Sequence, residues 1–128
     1  MSLIRIGYWR ADHAPEWPDV ADFVDHSWDE DERWTVRAYL TGGTAVRHYM
    51  GFSACRICGK RNGTSEFTDG TFIWPGGLAH YVDEHGVRLP ARFVDHATAA
   101  MERLEAEPVD TSWWLSLATW RQSGDPEF

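Results

Sequence analysis

A chain of 128 residues with 43% hydrophobic content is long enough to bury a sizeable core as one domain. Its net charge of −8 and pI near 5.1 argue against a dedicated nucleic-acid binder, while leaving room for a small basic patch. No apolar run approaches membrane-spanning length and the N-terminus lacks a signal peptide's apolar core, so the sequence predicts a cytoplasmic protein without a membrane partner, where thiols stay reduced.

Charge is unevenly distributed. Residues 12–32 hold nine Asp or Glu and no Lys or Arg, whereas residues 33–65 hold six Lys or Arg and no Asp or Glu. Either the two segments face each other or each is solvated. Eleven arginines against one lysine, with single Asn and Gln residues, carry the compositional mark of a GC-rich bacterial genome. Eight tryptophans are many for this length, and such residues fill cores or mark interaction surfaces.

Taken in chain order, Leu3 to Trp9 alternates enough for an opening strand, and Asp19 to His26 suggests a short helix. Asp29 to Thr41 reads as a better helix. Glu30, Asp31 and Glu32 fill its first turn, Arg33 and Arg37 follow, and Gly42-Gly43 stops it. Ala45 to Ser53 looks like a strand leading into Cys55-Arg-Ile-Cys58-Gly59. Thr64–Thr68 and Thr71–Trp74 are rich in β-branched and aromatic residues and flank Asp69-Gly70, a signal for a two-residue type I′ hairpin. After Pro75-Gly76-Gly77, Leu78 to His85 forms a short helix ended by Gly86. Beyond Leu89-Pro90, residues Phe93, Ala97, Ala100, Met101 and Leu104 recur at helical spacing to about Ala106. Asp110 or Thr111 caps a last helix, with Trp113, Leu117 and Trp120 expected on one inward stripe and Trp114 about 100° away from Trp113.

Four residues within this series carry chemistry. Cys55, Cys58, His80 and His85 read Cys-x2-Cys-x21-His-x4-His, within the spacing of four-ligand zinc sites. A thioredoxin-like redox pair would need a helix directly after the cysteines, but Gly59-Lys60-Arg61-Asn62-Gly63 is turn chemistry. A disulfide closing so small a loop would stabilise little. Gly59 can take the positive φ that a zinc knuckle requires after its second thiolate. The order knuckle, hairpin, helix is that of a ββα or treble-clef-like zinc unit, and predicts an α+β fold. Residues 1–128 then make a single domain, with flanking helices around a zinc-binding core at about 47–96.

Residues five apart on an ideal helix differ by roughly 140° around the axis. His80 and His85 can therefore both ligate only if the last turn loosens, and His96 is the substitute if His85 fails. His13, His26 and His48 lack comparable spacing. Asp83 and Glu84, between the histidines, read as exposed helix carboxylates or as partners of the ligands. Trp74-Pro75-Gly76-Gly77 reads as a packed turn beside the metal.

The stretches Cys55–Gly63, Glu66–Gly70 and Trp74–Tyr81, with His85 and Val87–Pro90, resemble a family of uncharacterised bacterial proteins found largely in actinobacteria. The likeness covers about residues 47–96. It implies a shared metal-site core and brings no activity.

No nucleophile-elbow, P-loop, dinucleotide, His-Glu-x-x-His or zinc-deaminase pattern is present. The residues point to one structural Zn2+ in a protein-interaction or regulatory module, acting on a protein partner or a second copy of itself. One alternative is a nucleic-acid-associated module using the knuckle edge of Arg56, Lys60 and Arg61. Another is a zinc hydrolase, which would require one ligand position to be open.

Overall fold

A computed structural model describes residues 2–49 and 51–119, and these form an α+β unit. Four strands make one sheet: β1 (Ile4–Arg5), β2 (Thr44–His48), β3 (Ser65–Thr68) and β4 (Phe72–Pro75), in the order β1-β4-β3-β2. β1 runs parallel to β4, and the other pairings are antiparallel. The helices are α1 (Glu30–Thr41), α2 (Leu78–His85), α3 (Ala91–Ala106) and α4 (Ser112–Ser116).

Local chemistry sets these limits. Asp29 caps α1 by accepting from the Glu32 N–H, while Trp28 donates its indole N–H to the Glu32 carboxylate. The segment expected to be helical at 19–26 makes only a single 3-10 turn, Val20–Phe23, and the opening strand shortens to two residues. The hairpin is wider than a two-residue turn. Thr68 pairs with Ile73, and Asp69 keeps negative φ although a type I′ turn needs it positive. The Asp69 carboxylate explains this, because it accepts from the N–H groups of both Thr71 and Phe72 and closes the loop through its side chain.

Alternation along the sheet separates two faces. Phe72 and Trp74 join Val36, Leu40, Leu78, Val82 and Phe93 in the core, and the Trp74 indole N–H donates to the Leu40 carbonyl. α1 packs on both α2 and α3. Trp74 is 1% exposed, but it lies within β4 and not in a turn, and its ring packs against Tyr39 and Phe93.

Towards the C-terminus the core reading fails. α3 buries Phe93, Val94 and Ala97, but Leu104 is exposed. Trp113 and Trp114 are each 68% exposed, and Leu115 is exposed too. The inward stripe of Trp113 and Leu117 does not form, and Trp120 lies outside the described residues. The reason is length: α4 has five residues, too few to present a stripe over two turns. Thr111 is its N-cap and makes no side-chain cap bond, while Asp110, one residue earlier, accepts from the Ser112 N–H and hydroxyl.

The acidic and basic segments do not pair. Among the described residues, Arg37 meets Asp83, Arg47 meets Glu66 and Asp25 meets Arg88, so no ion pair joins 12–32 to 33–65.

Candidate metal centre

The loop between β2 and β3 is a closed knuckle. The Cys55 N–H donates to the Lys60 carbonyl, and the Gly59 N–H donates to the Cys55 carbonyl, with Gly59 at φ 74°. The second half of the loop presses on the start of α2. A Cβ on Gly77 would sit 2.2 Å from the Asn62 carbonyl oxygen, so only glycine permits this approach. That contact brings the cysteine loop over the helix carrying the histidines.

Tyr81 fixes the same junction from the other side. Its hydroxyl accepts a hydrogen bond from the Arg56 backbone N–H at 2.7 Å. The far end of α2 supplies the loosening that His80 and His85 require. Gly86 takes left-handed φ 63°, and its N–H and that of Val87 both return to the Tyr81 carbonyl instead of closing a regular turn. The two imidazoles consequently approach to 5.0 Å between centroids.

Cys55, Cys58, His80 and His85 each present one ligand atom, and these atoms all lie within 4.8 Å of one another. The group can hold a metal ion. A tetrahedral zinc with bonds of about 2.0–2.3 Å would separate its ligands by roughly 3.3–3.8 Å, so modest contraction suffices. His85 Nε2 is buried with no hydrogen-bond partner among the described residues, the condition of a nitrogen lacking its acceptor or its cation. Cys58 Sγ lies 3.4 Å from His80 Nε2, and both cysteines are free thiols.

The electrostatics suit cation binding. Burial pushes the Cys55 thiol up, but the backbone N–H groups of Cys58 and Ile57, with help from the Cys58 thiol and the Tyr81 hydroxyl, outweigh it and hold the thiol below its ordinary range. Burial, and then the neighbouring His80, lower His85 and favour the neutral imidazole that ligates.

The substitute ligand is placed elsewhere. His96 Nε2 is 2.8 Å from Asp69 Oδ2, and its ring packs edge-on against Phe72. It braces the hairpin turn, where Asp69 also accepts from the Tyr39 hydroxyl. His48 contacts the Ser65 hydroxyl. Asp83 is half exposed and pairs with Arg37 at 3.7 Å.

Sequence reasoning missed a second polar cluster, on the sheet face opposite the core. Glu66 is fully buried. Its Oε1 accepts from the Tyr49 hydroxyl at 2.6 Å and from Arg47 at 3.4 Å. Its Oε2 accepts from the Tyr8 hydroxyl at 2.6 Å and from Arg5 at 3.3 Å. Burial would raise this carboxyl, but the two phenols and then the two guanidiniums overcome it and hold it below the usual range. The available signal was period two: Glu66 alternates with Phe67, and Tyr49, just beyond β2, lies two residues from Arg47.

Comparisons with protein-family models, with curated proteins and with solved structures each find no match to this chain. Among the described residues, no helix is long and apolar enough to cross a membrane.

Proposed function

We propose that this protein is a small zinc-stabilised binding module. Zinc is held by Cys55, Cys58, His80 and His85, with all four positions taken by protein, so the ion organises knuckle, hairpin and α2 rather than activating water. The convergence of those four donor atoms within 4.8 Å carries the reading. Two thiolates with two imidazoles suit zinc better than the hard, oxygen-seeking cations. The likeness of residues 47–96 to an actinobacterial family belongs to the same proposal, as does a cytoplasmic setting that keeps both thiols reduced.

The binding role rests on the exposed Trp113, Trp114 and Leu115, large apolar side chains of the kind that anchor protein interfaces. Their partner is another protein or a second copy of this chain. Elemental analysis of purified protein tests the metal, with about one zinc per chain expected and none overturning the proposal. Sedimentation of the wild type against Trp113→Ser/Trp114→Ser tests self-association.

A nucleic-acid role is the second reading. Arg56, Lys60 and Arg61 are exposed on the knuckle, and none forms an ion pair among the described residues. Binding to a single-stranded oligonucleotide should then weaken steeply with salt, by a logarithmic slope of about −0.7 per phosphate contact.

A further inference from the structure

A cleft of about 650 Å³ opens beside the Glu66 cluster, within the size range of small-molecule sites. A narrower recess of about 180 Å³ continues from it, and the two share Tyr8, His13, Ser53, Arg56, Asn62 and Pro75. Although the chain carries a charge of −8, no described carboxylate lines either space, while Arg5 and Arg56 do.

We infer that this cleft binds a small organic anion carrying a planar ring. Glu66 is committed: both its oxygens already accept from phenols and guanidiniums, so it is an anchor that positions Arg5, Tyr8 and Tyr49 and not a receptor for a cation. Two arginines around one carboxylate leave that cluster with a surplus positive charge, and Arg56 adds to it. Tyr8, Tyr49, Phe52 and Trp17 supply aromatic walls on which a ring can stack.

The recess makes an independent demand. Trp9, which lines it, is 7% exposed, and its indole N–H has no acceptor among the described residues. A buried donor without a partner is costly, and an oxyanion in the recess is an acceptor of the matching kind. Phosphate and carboxylate share that chemistry.

The inference rests on the metal reading in one respect, because Ser53, Arg56 and Asn62 come from the knuckle loop. The titration is therefore made on protein of measured zinc content by amide and indole NMR. Adenosine 5′-monophosphate and benzoate carry the two oxyanions, and adenosine is the uncharged control. At least one of the two anions should shift the Trp9 indole N–H and the Asn62 amide saturably, and adenosine 5′-monophosphate, if it is that one, should bind at least about tenfold more tightly than adenosine. Arg56→Ala should weaken the binding about tenfold and Arg56→Lys much less, with zinc content unchanged in both. No saturable shift at the cleft with either anion would overturn the inference, as would equal affinity for adenosine and its monophosphate. Binding of a 5′-phosphorylated oligonucleotide through the cleft without binding of either small anion would also overturn it, in favour of nucleic acid. Protein that carries no zinc at the outset refutes the metal reading before the cleft is probed.

Discussion

The Tyr81 hydroxyl accepts the Arg56 backbone N–H at 2.7 Å, and this bond ties the helix of both histidines to the loop of both cysteines. Tyr81 is itself 5% exposed, so Tyr81→Phe removes the acceptor without opening the packing. Arg56 is exposed, so losing the bond to its N–H should cost about 0.5–1.5 kcal/mol. The cysteine loop would also lose its alignment, and zinc affinity should fall about 10- to 100-fold, as when partners of metal ligands are removed elsewhere. Competition with a chromogenic chelator measures this, and unchanged affinity would show that the bond does not serve the centre.

Cys58→Ala isolates the contribution of the metal. Cys58 is exposed, so its sulfur fills no part of the core and truncation leaves no cavity. The substitution should release zinc and lower the melting temperature, and excess chelator should bring the wild type down to nearly the same value. A variant that melts with the untreated wild type would refute a structural ion.

Glu66 predicts an acid limb to stability. Its carboxyl is lowered in the fold, so the stabilisation is complete above the ordinary glutamate value of 4.5 and is lost as pH falls from there through the folded value. Protonation would empty an acceptor shared by two phenols and two arginines. The arginines are about half exposed, so solvent screening reduces their share. Glu66→Gln should flatten the fall in melting temperature as pH drops below 4.5. Parallel curves for variant and wild type would place the acid sensitivity elsewhere.

Two tryptophans should behave oppositely. Trp74→Ala empties a site 1% exposed and should cost about 3–5 kcal/mol, much of a small domain's stability. Trp113→Ala removes a side chain 68% exposed and should fall within about 0.5 kcal/mol of wild type in the monomer. Urea denaturation of both distinguishes a core residue from a surface one.

The convergence of Cys55, Cys58, His80 and His85 was the most legible part of the sequence because its information is local. Ligand spacing, the turn after Cys58 and the glycine after His85 all lie within one short stretch. The α1 and α2 boundaries were equally readable, since Asp29 and Gly86 act on the adjacent turn. The hairpin type was misread because Asp69-Gly70 carries a strong signal that the Asp69 side chain overrides. His96 found its role through Asp69, a partner far off in sequence. Glu66 was invisible as a buried group for the same reason, because its four partners come from around Arg5 and Arg47. The tryptophans after Asp110 were assigned by spacing alone, which cannot say whether so short a helix has anything to pack against.

The parallel pairing of β1 with β4 sets an order of events during synthesis. Ile4 is made well before its neighbour Phe72, a delay of several seconds at about 5–20 residues per second. The segment from Cys55 to His85 needs only itself to gather its ligands, and short-range closure is fast. On the proposed metal reading, the ion is captured while the growing chain still lacks α3, and the edge that receives β1 is then already built. Nascent chains arrested shortly after His85 would be the place to look for zinc uptake ahead of the completed sheet.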